Sequence, residues 1–113
     1  MNDAEKILTE FLDKHRIQLA DNIRRYVSTE ISHKNVVTYA WKVIDDWSTT
    51  DERVKSEPYM KGERAFWACI WSIIHLANEE HWKDGLPQRE LPKLLEIMIS
   101  NQDLPDGYEA RRP

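Results

Sequence analysis

The stretch at positions 65–77 constrains this chain more than any other. Its centre, Phe66-Trp67-Ala68-Cys69-Ile70-Trp71-Ser72-Ile73-Ile74, is apolar in every direction of a helical projection. A helix with no polar face has to be enclosed by other helices. The run is 13 residues long and contains Ser72 and His75, short of the roughly 18 apolar residues of a membrane span. It therefore reads as the buried centre of a bundle, and the rest of the chain must supply what surrounds it.

The flanking sequence has that capacity. From Asp3 to about Thr29, Ala4, Ile7, Leu8, Phe11, Leu12, Leu19, Ala20, Ile23, Tyr26 and Val27 recur at the three- and four-residue spacing of one helical face. They predict one long helix with Asp3 as its N-cap. Ser32 is placed to cap a second helix, in which Val36, Val37, Ala40, Trp41, Ile44 and Trp47 repeat the spacing. Residues 50–56 suit a short turn capped by Thr50. Ser56 and Pro58 then suggest the start of the central helix, over 58–82, with Gly62 lowering its early propensity. Lys83-Asp84-Gly85-Leu86-Pro87 is a stop signal. Pro92 heads a further helix through Leu94, Leu95, Ile97, Met98 and Ile99, and a Leu-Pro-Asp-Gly-Tyr turn at 104–108 leads into an extended segment. No strand alternation is present. The expected fold is all-α, a compact bundle of four to five helices around a central Trp-rich hydrophobic helix with an extended C-terminal tail. It forms a single helical domain over residues 1–113, with 101–113 as turn and tail.

Compartment follows from what the composition omits. No basic and apolar leader opens the sequence, and Cys69 is the only cysteine, so no internal disulfide can form. The expected location is the reducing cytoplasm.

No arrangement of residues stands out as catalytic. Glu30-x-x-His33 has the spacing of di-iron bundles, but those need a second such pair, and Ser32 marks a helix boundary here. His75 and Glu79 lie one turn apart, yet zinc requires three or four ligands, and His75 within an apolar run reads as a core histidine. His15 and His81 read as surface or helix-end residues. Burial of Cys69 keeps its thiol unreactive. Nucleophile-elbow and phosphate-loop motifs are missing. No catalytic residue, metal or cofactor is expected. A basic patch at Lys14, Arg16, Arg24, Arg25 and Lys34 is too sparse for a DNA-binding face in a chain of pI near 5.5. Neither nucleic acid nor membrane is an expected partner.

Charge is unevenly placed. Residues 1–42 hold 7 Lys/Arg and 6 Asp/Glu, whereas residues 43–109 hold 7 Lys/Arg and 14 Asp/Glu. The excess concentrates at helix ends and connections, in Asp45, Asp46, Asp51 and Glu52, then Glu79, Glu80 and Asp84. Trp82 lies among the last three as a candidate aromatic anchor, since tryptophan is prominent among binding hot spots. Of the other tryptophans, Trp67 and Trp71 read as core, with Trp41 or Trp47 half covered. A localised carboxylate field speeds encounter with cationic proteins, and aromatic anchors prolong the complex.

In length, acidity, helicity, tryptophan content and these carboxylates, the chain resembles the small cytosolic immunity proteins of bacterial toxin systems, of the contact-dependent growth-inhibition and colicin types. The resemblance covers the whole chain and is one of type. It implies a monomer or weak dimer that binds a basic protein domain, a cognate toxin such as a nuclease. The partner-binding residues would be Asp45, Asp46, Asp51, Glu52, Glu79, Glu80, Trp82 and Asp84. A helical adaptor acting by protein association and a small DNA-binding regulator are the alternatives.

Overall fold

A computed structural model describes residues 2–113, and among these it contains helices and no strand. Four long helices form the bundle: α1 (Asp3–Val27), α2 (His33–Ser48), α4 (Glu63–Leu76) and α6 (Leu86–Ile99). Two single-turn helices, α3 (Glu52–Lys55) and α5 (Glu79–Lys83), join them, so the total is six rather than the four to five expected. Among the described residues no helix is long and apolar enough to cross a membrane.

Local capping explains where the boundaries depart from the periodicity. The Asn2 side chain, not Asp3, accepts from Glu5 N and caps α1. Ser32 caps α2 as expected. Asp51 takes the role assigned to Thr50 at the head of α3. The predicted helix over 58–82 is interrupted twice. Gly62 adopts φ 83°, a left-handed conformation that terminates the preceding turn, and α4 starts only at Glu63. At the other end, Asn78 takes an extended conformation and its side chain accepts from His81 N. That side-chain bond competes with helix continuation, ends α4 at Leu76 and starts α5 afresh. The last helix begins at Leu86, six residues before Pro92, because Gly85 is left-handed and Pro87 occupies the first turn. Pro92 then lies inside α6 on its exposed side.

Ring contacts fix the topology. Tyr26 at the end of α1 meets His33 at the start of α2, and Phe11 meets Trp47 near the end of α2, so these two helices are antiparallel. Trp67 in the first half of α4 packs edge-on against Trp47 at 5.2 Å, while Trp82 of α5 meets Tyr26 at 5.1 Å, which carries α4 back along α2. Helix α6 returns, bringing Asn101 beside Gly62. The α4 helix packs against α1, α2 and α6, as its apolar composition requires. Ala65–Ile70 and Ile73 are buried, but Trp71 is half covered and His75 is exposed, stacked on Trp71 rather than in the core. His15, expected at the surface, is buried between α1 and α2 against Phe11. Burial outweighs the opposing pull of Asp46, 3.7 Å away, and pushes its pKa down. Cys69 is also buried, which pushes its thiol up to about 12.

The segment after α6 is the least anticipated feature. It is extended, as expected, but it is docked. Ala110 is buried, the Trp71 indole donates to the Arg111 carbonyl at 2.8 Å, and the Tyr108 hydroxyl donates to Glu90 at 3.0 Å. Arg112 inserts its guanidinium into the bundle with its side chain only 10% exposed, against a Glu63 that is fully buried. Nε donates to Glu63 Oε2 at 2.5 Å and Nη2 to Oε1 at 2.8 Å, while Nη1 donates to the carbonyls of Lys55 and Glu57. The ring faces of Trp47 and Tyr59 lie 5.5 Å and 4.3 Å from the guanidinium carbon. Glu63 also accepts from the Trp67 indole and from Met60 N, so the carboxylate has no idle oxygen. The same guanidinium thereby satisfies the carbonyls of the connection at 55–58, where a helix start had been expected.

Removing one partner of a buried, hydrogen-bonded ion pair costs about 3–5 kcal/mol, because the other charge is left unpaired. We expect Arg112→Ala to lower the thermal midpoint by about 10–20 °C. The double replacement Glu63→Met with Arg112→Met should cost less than Arg112→Met alone, a non-additivity that chemical denaturation of the native chain, the two single variants and the double variant measures directly. Gly62→Ala should cost about 1–2 kcal/mol. It would place a Cβ 3.0 Å from Asn101 Oδ1 at φ 83°, and the same denaturation series reads it out.

Candidate functional site

Up-and-down packing of antiparallel helices divides the carboxylates between the two ends of the bundle. Asp45 and Asp46 belong to the last turn of α2, and Asp51 and Glu52 open α3 just beyond it. Glu79 and Glu80 belong to α5 with Trp82, and Asp84 caps it; this helix lies beside His33, at the other end of α2. At a rise of about 1.5 Å per residue, the stretch of α2 from His33 to Asp45 separates the groups by roughly 18 Å. The eight residues proposed from sequence are thus brought together as two sets and not as one.

The two sets differ in how far local cations quench them. At the α2–α3 end, Asp51 pairs with Arg53 at 3.3 Å and Glu52 with Lys55 at 3.6 Å, while Asp46 faces His15, which burial biases toward its neutral form. The Asp51 carboxylate also accepts from Arg53 N, and that backbone bond, followed by the Arg53 side chain, holds its pKa down. Its role there is to cap α3. Asp45 alone in that set is exposed without an ion-pair partner among the described residues. At the α5 end, Glu79 pairs with Lys83 at 3.8 Å, while Glu80 and Asp84 are exposed and, among the described residues, have no cation within ion-pair distance. Glu30, in the connection between α1 and α2, joins them there, also exposed.

The α5 end is also where the structure forms an aromatic pocket. Tyr26, His33 and Trp82 are mutually packed, with ring centroids 5.6, 5.1 and 5.7 Å apart. Together with Thr29 and Ile31 they line a cleft of about 200 Å³. The Tyr26 hydroxyl and His33 Nδ1 share a hydrogen bond of 2.7 Å, and burial pushes the tyrosine pKa up to about 12, so the phenol keeps its proton throughout the neutral range. Thr29 closes the turn at φ 63°, a left-handed conformation uncommon for a β-branched residue. Hydrogen bonds from Thr29 N to the Tyr26 carbonyl and from Glu30 N to the Arg25 carbonyl hold it there. The Gln88 side-chain amide donates to the Trp82 carbonyl at 3.0 Å, and His81 N donates to Asn78. The short helix that presents Trp82 is therefore braced from both sides.

Sequence reasoning singled out Trp82 but not its companions. Tyr26 read as an ordinary core position and His33 as a helix boundary, and each reading describes part of its role. Their convergence depends on the helix break at Asn78, whose signal was an Asn directly preceding two glutamates, the pattern of an N-cap with an acidic first turn. Trp41 is the most exposed tryptophan, at 47%, whereas Trp47 is buried.

Among the described residues no group of three or more His, Cys, Asp or Glu is arranged to hold a metal ion. The pocket and the carboxylates around it offer recognition chemistry, namely ring faces, an apolar floor and negative charge. Compared with protein-family models, with characterised proteins and with solved structures, the chain matches none of them.

Proposed function

We propose that this chain is a binding protein of the immunity type, without catalysis of its own, which neutralises a basic protein domain by docking it at the α5 end of the bundle. The cytoplasm of the producing cell is where such a neutraliser would act. One observation carries the reading: the Tyr26–His33–Trp82 pocket opens at the end where Glu30, Glu80 and Asp84 are exposed without ion-pair partners among the described residues. Carboxylates around an apolar centre supply steering at long range and residence at contact. A nuclease domain suits such a surface, because a cleft that holds phosphates is complementary to carboxylates.

The test is kinetic. The purified chain is mixed with a basic toxin domain encoded beside its gene, and association is followed by stopped flow with enzyme inhibition as a second readout. A one-to-one complex that abolishes activity is expected, with an association rate that falls steeply as salt is raised. The charge reversal Glu80→Lys with Asp84→Lys should slow association by about tenfold and change dissociation little. The matching reversal Asp45→Lys with Asp46→Lys should have a smaller effect. No complex, or equal sensitivity at the two ends, would sink the proposal.

A second reading, association through an apolar helix edge, is favoured by Trp41. On α2 it lies one turn from the half-buried Val37 and Ile44. If that edge self-associates, light scattering will show a concentration-dependent dimer that is insensitive to salt and abolished by Trp41→Lys.

A further inference from the structure

We infer that the Tyr26–His33–Trp82 pocket is a socket for a single arginine side chain of the partner. The inference rests on the proposed function for the source of that arginine, but not for the chemistry of the site.

The cleft of about 200 Å³ has room for one long side chain rather than a folded segment. Its lining combines the half-buried Trp82 indole, the Tyr26 and His33 rings and the aliphatic part of Ile31. An aliphatic stem can lie on such a floor while a planar cation stacks on a ring face, and guanidinium does this better than ammonium. Around the mouth, Glu30 adjoins two lining residues in sequence, and Glu79, Glu80 and Asp84 lie within a turn of Trp82. Lys83 is engaged by Glu79, and Arg25, one residue before Tyr26, lies 4.0 Å from Asp21. Lys34, next to His33, and Arg89, whose guanidinium donates to the Asp84 carbonyl at 3.1 Å, are exposed cations on this rim without an ion-pair partner among the described residues, against Glu30, Glu80 and Asp84. The rim keeps a small acidic excess, which disfavours an acidic occupant, and the ring faces of the lining add the attraction that a planar cation gains over a neutral group.

The molecule contains a filled version of the same recognition chemistry. At the opposite end, Arg112 lies over the rings of Trp47 and Tyr59, with a carboxylate as its hydrogen-bond partner. That inner socket is closed by the chain's own arginine. The outer one offers rings and carboxylates with no arginine of its own in it.

The experiment uses the intact chain and two amides of nearly equal shape, L-argininamide with its cationic guanidinium and L-citrullinamide with a neutral ureido side chain, titrated while the five indole N–H resonances are followed by NMR. Argininamide is expected to shift the Trp82 indole and the Tyr26 and His33 ring signals with millimolar saturation. Citrullinamide should bind at least about fivefold more weakly, as expected if the charge is what the rings and carboxylates recognise. Trp82→Leu keeps the floor apolar and should abolish the discrimination between the two amides. Glu80→Gln with Asp84→Asn, which leaves the aromatic pocket untouched, should weaken argininamide alone. Equal binding of the two amides, no response at Trp82, or a response confined to Trp47 (exchange at the Arg112 site) each overturns the socket. Because the titration needs no protein partner, a positive result with no basic domain ever captured removes only the neutraliser reading. Inhibition of a toxin by a chain that ignores argininamide removes only the socket.

Discussion

A carboxylate with no exposure to solvent, Glu63 at the head of the central helix, organises this structure, and it can be there only because Arg112 arrives from the far end of the sequence. Two charges taken from water must compensate each other through geometry, and a forked guanidinium against a carboxylate is the geometry that does so. The consequences extend through the bundle. The guanidinium satisfies the carbonyls of the 55–58 connection and keeps that stretch out of a helix. Glu63 in turn holds Met60 N and the Trp67 indole, which orients the largest side chain of the core. The segment carrying Arg112 is drawn across α4, where its Arg111 carbonyl receives the indole N–H of the half-covered Trp71.

The second constraint is the interruption between α4 and α5. An uninterrupted helix through residue 82 would carry Trp82 straight on along the axis of α4. The extended Asn78 redirects the chain by one short turn, and Trp82 instead closes over Tyr26 and His33. The core and the candidate site thus depend on different local decisions, one a buried ion pair and the other a side-chain cap. A change in the cap could remodel the pocket while leaving the Glu63 cluster intact.

How much of this was legible in the sequence follows from the range of each interaction. Helix existence, the all-α class and the enclosure of residues 65–70 could be read directly, since apolar spacing is a local signal and here a strong one. Boundaries were displaced wherever a side chain or a left-handed residue competed with periodicity: Asn2, Asp51, Gly62, Asn78 and Gly85. Histidines 15 and 75 exchanged the environments expected of them because the phase of a helix relative to its neighbours is a tertiary property. Arg112 is one of two consecutive arginines in an extended segment, and nothing near it in the chain reveals that its partner Glu63 is 49 positions away and buried. The pocket was half legible. Trp82 with its carboxylates was visible in one segment, while Tyr26 and His33 belong to two others.

The division of the carboxylates between two ends changes what an acidic chain can do. The molecule measures 45 × 26 × 20 Å, with the two acidic sets toward opposite ends of antiparallel helices. Charges separated by more than about 8 Å are largely screened from one another at physiological ionic strength. The sets therefore cannot add into one field, and a net charge of −4 says less about recognition than how each end is neutralised. At the α2–α3 end Asp51 and Glu52 are occupied by capping and by cationic neighbours, and Asp46 lies against the buried His15, so their role is chiefly to shape that corner of the fold. At the α5 end most of the charge remains available and lies near the Trp82 and His33 rings, which the core does not fully cover, above a buried Tyr26. On the proposed function, steering and contact chemistry coincide at that end, where a cationic partner would meet the half-buried Trp82 and His33 rings.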